Sequence, residues 1–316
     1  MGTYEQAGVS LAKAGEVVDR LRSAVDSTRT PGVTGSFGLF AGLYELDGRR
    51  LLAASTDSIG TKLILARRAG RLQDAGACLA AHSINDVLTT GARPLFFLDY
   101  VAAATIDVAA VAELVEGAAR TCRAAGCAIL GGETAEMPDV YHADEMDFAA
   151  TCVGLVERDE LIDGSRIQAG DVVLGLPSSG LHENGFSLVR RLIGDDPFDA
   201  DLLLPPTQLY LDDVAGLRGR CDVRGLANVT GGGIPGNLAR ILPAELGAIV
   251  DPQSWERPPV YAWLSAHGVS EAEQRRVFNV GIGYCAVVAA TDAASAGFPA
   301  IGRITADVAG VVFSDE

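Results

Sequence analysis

Apolar residues recur along the chain at two periods, and the switches between them mark the elements. Leu11, Ala14, Val17, Val18, Leu21 and Val25 repeat near helical spacing, which predicts an N-terminal helix. A glycine-rich passage from Pro31 to Gly42 follows, and then a strand over Leu51 to Thr56 that ends at Asp57. Helices are predicted over Thr61 to Ala69 and Ala75 to Thr90, with a buried strand over Leu95 to Val101. Val108 to Ala125 has helical periodicity, Ala128 to Leu130 starts a strand, and Phe148 to Val156 closes the first half. A polar, glycine-marked connection from Asp163 to Gly170 divides the chain into domains 1–167 and 168–316.

In the second half, strands are predicted at Asp171 to Leu176, Ala248 to Asp251 and Gly283 to Ala290. Helices are predicted at Asn184 to Leu192, after Pro205 and Pro206 to about Leu217, at Pro235 to Leu242 and at Glu271 to Arg276. Strands and helices thus mix in both halves, which predicts two α/β or α+β domains.

Composition narrows the class. Of 316 residues, 25 are Lys or Arg and 41 Asp or Glu, a formal charge of −16 that argues against a phosphate-backbone binder. Only two lysines occur, Lys13 and Lys62, and neither stands in the Gly-Lys-Ser/Thr context of a P-loop. No apolar run is long enough for a membrane helix. The six cysteines form no metal-ligand spacing and mostly sit in apolar runs, so reduced core thiols and a cytoplasmic setting are expected.

Chemistry concentrates in five motifs. At Ser55 to Lys62, Thr56 and Asp57 end a strand just before small residues and a lysine. A carboxylate there can hold a metal, with N–H groups and Lys62 near phosphate oxygens; equally, Asp57 can cap the next helix. Asn85 and Asp86 interrupt an otherwise apolar helix, where burial demands pairing or coordination. Gly131, Gly132, Glu133 and Thr134, followed by Glu136 and Asp139, read as a glycine pair after a strand with acids suited to Mg²⁺. Ser178, Ser179, His182 and Asn184 form a strand-to-helix loop that can wrap an anion and move a proton. Thr230, Gly231, Gly232, Gly233 and Asn237 form a phosphate cradle before a helix begun by Pro235. A lone histidine is more often structural, and His82, His142 and His267 take that reading. Together the motifs describe an Mg²⁺-dependent, ATP- or phosphate-handling enzyme without a P-loop.

At these motifs the chain resembles the aminoimidazole ribonucleotide synthetase family, also called phosphoribosylformylglycinamidine cyclo-ligases. The blocks from Pro94 to Tyr100 and from Gly131 to Pro138 are the most specific, and further matches run from Tyr4 to Asn279. The resemblance implies two α/β domains, with N-terminal strands forming a barrel across a homodimer. It implies ATP-dependent closure of formylglycinamidine ribonucleotide: ATP phosphorylates the formyl oxygen and the amidine nitrogen closes the imidazole ring. By matched motif it implies Asp57, Asp86 and Glu133 on Mg²⁺–ATP with Thr56, Asn85, Gly131, Gly132 and Thr134 nearby, and Lys62 on phosphate. Asp99 and His182 are implied for proton handling and formyl activation. Ser178, Ser179, Asn184, Thr230, Gly231 to Gly233 and Asn237 are implied for a phosphorylated ribonucleotide. The chain departs from the family's usual pattern at Ser58, Cys78 (usually Asp), Glu183 (usually Ser) and Gly236. Two alternatives accompany these departures: a related enzyme acting on another ribonucleotide, and a catalytically inactive nucleotide-binding homologue.

Overall fold

The computed structural model describes residues 2–315. The first half runs α1 (Leu11–Asp26), β1 (Val33–Thr34), β2 (Gly42–Asp47), β3 (Arg50–Ser58), α2 (Lys62–Arg68), α3 (Leu72–Leu88), β4 (Arg93–Ala103), α4 (Val108–Ala124), β5 (Ala128–Glu136) and β6 (Met146–Glu157). The second runs β7 (Val172–Pro177), α5 (Phe186–Ile193), α6 (Ala200–Leu203), α7 (Leu211–Arg218), β8 (Val223–Asn228), α8 (Gly233–Leu238), β9 (Gly247–Val250), α9 (Val260–Ala266), α10 (Glu271–Val277), β10 (Ile282–Val288), β11 (Ala300–Thr305) and β12 (Gly310–Phe313). Each half builds one six-stranded sheet, in the orders β1-β2-β3-β6-β4-β5 and β12-β9-β11-β7-β10-β8. This is the expected mixed α/β architecture of two domains, and neither sheet closes into a barrel within the described residues.

Period-2 alternation decides which face of the first sheet is covered. On β3, Leu51, Ala53 and Ser55 are buried, whereas the alternating Ala54 and Thr56 are exposed; on β6, Phe148, Ala150, Cys152 and Val156 are buried. The buried face carries α3, which packs across β3, β6 and β4, with α4 packed against α3 and β5. Glycines make that helix pair possible. A Cβ on Gly76 would sit 1.9 Å from Leu114 O, and one on Gly117 would sit 1.9 Å from Gln73 O. All but two of α3's residues are buried, so the helix has no solvated face and its polar residues must find partners inside.

The other face of the sheet is open. Leu98 is 40% exposed and Leu130, on the edge strand β5, is 65% exposed. Helix α1 forms as its periodicity predicts but buries none of its residues, leaving Val17 and Leu21 facing solvent. The block from Gly131 to Glu136 differs from expectation: it is not a loop after a strand but the body of β5, paired in parallel with β4. Strands β2, β8, β11 and β12 and helix α9 were not evident from the apolar pattern. The six cysteines are all free and buried, as expected. No helix among the described residues is long and apolar enough to cross a membrane.

Candidate active site

Asp57 and Asp86 are brought together by a strand and the helix that covers it. Asp57 is on the helix-facing side of β3, in phase with buried Ser55, and α3 lies over that strand. His82 and Asp86 stand four residues apart on α3 and so share one helix face. One ligand atom each from Asp57, His82 and Asp86 falls within 4.8 Å of the others, a spacing that a single divalent cation can span. The donor set therefore fits a metal, through two carboxylates and an imidazole.

His82 is the centre of a buried chain of ionisable groups. Its Nε2 lies 2.5 Å from Asp57 Oδ2 and its Nδ1 lies 2.8 Å from Glu183 Oε2. Thr207 donates its hydroxyl to the other oxygen of Glu183. Burial opposes charge on His82, but the attraction of Asp57 and Glu183 outweighs it and holds the imidazole well above its ordinary pKa. Burial also opposes ionisation of Glu183, yet His82 and, further off, Lys62 hold its carboxyl down at about 2. Asp86 goes the other way. Burial, with the nearby Asp57 charge, raises its pKa, and the pull of His82 and the hydrogen bonds from the Asn228 amide at 2.8 Å and the Ser55 hydroxyl at 3.0 Å do not offset that rise.

Other expected site residues are committed to holding the domains together. Lys62 is 2% exposed, and its Nζ bonds His182 O at 2.6 Å, Cys78 Sγ at 3.2 Å and Pro205 O at 3.4 Å. All three donors of the ammonium are thus turned to protein acceptors, two of them in the second domain, so that Lys62 ties the domains together. Cys78, where the family usually has Asp, serves that lysine and accepts from Thr207 N at 3.3 Å. Asn85 donates to Gln208 O at 2.8 Å and accepts from Tyr210 N at 3.0 Å, which spends its amide on the same junction.

The C-terminal loops show the same division. Ser178 donates to Asn279 Oδ1 at 3.0 Å, and Ser179 to Pro206 O at 2.6 Å. Asn237 is buried and braces the glycine loop, donating to the carbonyls of Thr230, Gly231 and Gly233 at 3.1, 3.3 and 2.9 Å and receiving the Thr230 hydroxyl. Gly232 and Gly233 take the positive φ values of 98° and 62° that start α8. His182 is 3% exposed, in the left-handed region at φ 59°, and its Nε2 accepts from Ser179 N at 3.4 Å. Burial, aided by Lys62 and His82 against the pull of Glu183, lowers its pKa to about 4, so the ring is neutral near pH 7. Asn184 is half-buried beside Gly231.

Glu133 does not join Asp57 and Asp86 within one chain. Register runs Ser58–Ala149–Tyr100–Glu133 across β3, β6, β4 and β5, so Glu133 lies on the open face, opposite to Asp57. It is also three strands away, about 14 Å at ~4.8 Å per strand. Asp99 lies on the helix-facing side, half-buried against Gly132, and burial raises its pKa. Thr56 is on the open face, 2.7 Å from Thr151 Oγ1, and Thr134 is exposed on the edge strand.

Two adjoining cavities of about 620 and 840 Å³ are both lined by Thr61, Ile64, Arg68 and Arg190, and Asp57, His82 and Asp86 line neither of them. Arg190 on α5 has no side-chain partner among the described residues and is half-buried, which makes it the available cation for an anionic ligand. Sequence spacing assigns Arg190 no role and reads His82 as structural. An arginine inside a helical repeat and a lone histidine carry no spacing signal of their own.

Comparison with known proteins agrees with this organisation. Residues 39–156 match the family model for AIR synthase related protein, N-terminal domain, and residues 168–315 match that for the C-terminal domain. A phosphoribosylformylglycinamidine cyclo-ligase of Synechococcus sp. (strain CC9311) is 46% identical over 90% of this chain and 87% of its own length. One from Myxococcus xanthus (strain DK1622) is 45% identical over 93% of this chain and 90% of its own. The fold is shared with AaThiL complexed with AMPPCP and TMP (TM-score 0.70, 14% identity, covering 98% of this chain and 96% of that one). It is shared also with T. maritima PurL complexed with ADP (TM-score 0.57, 21% identity, 86% of this chain and 43% of that one). With both halves matched in order and such identity over 90% or more of its length, the chain belongs to the AIR synthase related family.

Proposed function

We propose that this chain is a phosphoribosylformylglycinamidine cyclo-ligase, an enzyme that closes formylglycinamidine ribonucleotide to aminoimidazole ribonucleotide with conversion of ATP to ADP and phosphate. The observation that carries the reading is the convergence of Asp57, His82 and Asp86 in a chain 46% identical to a relative of that name. Structures of the same fold that hold ADP or AMPPCP support ATP as the nucleotide.

A divalent cation, Mg²⁺ in the simplest case, would be held by Asp57 and Asp86, and when bound it supplies neutralisation of phosphate charge. The chain's own residues do the rest by positioning. Arg190, with Thr61 on the same cavity wall, takes the ribonucleotide phosphate, and Asn184 beside the Gly231 loop also serves it; the neutral His182 orders the Ser179 segment. Asp99, whose raised pKa suits a proton acceptor, is assigned to proton handling. Residues 1–167 supply the metal and nucleotide side, and residues 168–316 complete the site through α5 and the loops after β7 and β8.

The exposed edge strand β5 and the open face with Leu98 and Leu130 support a homodimer in which two first-domain sheets close a barrel. Glu133, on that open face, then lies at the dimer contact. The direct test is incubation of the protein with formylglycinamidine ribonucleotide, ATP and Mg²⁺. Equal amounts of ADP and aminoimidazole ribonucleotide are expected, and ADP release only with a different ribosyl compound, or none at all, overturns the reading.

A further inference from the structure

His82 has an arrangement that a merely structural histidine does not need. Both ring nitrogens face carboxylates, and the two sides differ. On Nδ1, Glu183 is itself fixed by Thr207, so the imidazole is clamped in one orientation. On Nε2, Asp57 is the first acid met, and Asp86 lies within the same 4.8 Å group. Fixed carboxylate, imidazole, then a cluster of ligand oxygens is the order in which proteins aim a histidine at a metal, the outer carboxylate setting the tautomer and the ring plane. Charge balance is compatible with this. Asp57, Asp86 and Glu183 face His82 and the buried Lys62, and a divalent ion bound here would displace the Nε2 proton and take over the positive charge that the imidazolium otherwise supplies.

We propose that His82 is a ligand of the cation held by Asp57 and Asp86, oriented by Glu183, so that this centre prefers first-row transition ions such as Mn²⁺ and Co²⁺ to Mg²⁺. The inference rests on the metal centre assigned under the proposed function, and it adds the nitrogen donor and the selectivity that follows from it. Oxygen-only sites suit Mg²⁺, whereas an imidazole nitrogen raises affinity for borderline ions. Glu183 is a positioning residue: it touches neither cation nor substrate and acts through the ring. The i and i+4 placement of His82 and Asp86 on α3 makes the pair rigid, because α3 is buried along nearly its whole length.

The test reads the metal directly. Metal-free protein is loaded with Mn²⁺, with and without ADP, and examined by pulsed EPR. A coupling from directly bound ¹⁴N is expected, changing to ¹⁵N when the protein is grown on ¹⁵N-labelled histidine, a measurement that needs no variant to fold. His82→Leu should abolish that coupling. Glu183→Gln should keep it while weakening Mn²⁺ binding roughly 10- to 100-fold. Half-displacement of Mn²⁺ should need at least about ten-fold more Mg²⁺ than Mn²⁺. Bound Mn²⁺ without histidine nitrogen, failure to bind Mn²⁺ in either condition, or a coupling that survives His82→Leu overturns the proposal. If the coupling is present but the protein makes no aminoimidazole ribonucleotide, the ligand assignment stands and the reaction assignment falls.

Discussion

The neutral, buried His182 should make the C-terminal domain acid-sensitive by a calculable amount. Its ring is packed so tightly on β10 that a Cβ at Gly283 would lie 2.4 Å from its Cε1. The folded state holds its pKa at about 4, below the ordinary 6.5, chiefly through burial. A histidine depressed on folding takes up its proton more readily in the unfolded chain. Its stabilising contribution is therefore complete above about pH 6.5 and is lost as pH falls toward 4. The whole shift corresponds to about 3 kcal/mol, and about 2 kcal/mol of it falls between pH 7 and pH 5. The perturbation is His182→Asn, since asparagine tolerates the φ of 59° at this position. Urea unfolding of both proteins would be followed by the fluorescence of Trp255 and Trp263, which lie in the same domain. Between pH 7 and pH 5 the wild type should lose about 2 kcal/mol more than the variant. Equal losses would refute the reasoning, because every other titrating group is common to both proteins.

Four further outcomes are expected. Asp86→Asn keeps the volume and removes the charge, so turnover should fall by more than about 100-fold while the thermal midpoint stays within a few degrees; retained turnover breaks the metal assignment. The native protein should show no rapidly reacting thiol toward an aromatic disulfide reagent and six after denaturation, because all six cysteines are free and buried. Gly185→Ala combines a φ of 83° with a Cβ 2.0 Å from Phe278 Cε1, and denaturant titration should show a loss of about 3 kcal/mol. Leu130→Glu, on the exposed edge strand, should convert a dimer to a monomer in sedimentation velocity; an unchanged mass removes β5 from the interface.

Period and punctuation made most elements legible. The runs at Leu51, Leu95 and Phe148 became the three central strands of the first sheet, and the helical repeat from Val108 became α4 almost to the residue. Short edge strands such as β12 were not legible, because four residues paired on one side carry no distinctive period. The block at Gly131 misled for a related reason. Two glycines read as a turn, but a strand open on both faces tolerates them, and one of them leaves room for Asp99.

What the sequence determined by itself was the class of chemistry and the family: acids at Asp57 and Asp86, glycine-rich loops in both halves, and no P-loop. Local spacing is enough for that, since a strand ending in Asp57 and a helix bearing Asp86 are each written in contiguous residues. What only the tertiary structure decided was which groups meet. His82 and Glu183 are 101 positions apart and become a hydrogen-bonded pair. Lys62, the one buried lysine, bonds His182 O and Pro205 O across the domain junction. Glu133 falls on the opposite face of the sheet because side chains alternate along a strand. Proximity across layers depends on how α3 lies over β3 and how the second domain closes on both, and neither is encoded in the spacing of any one segment.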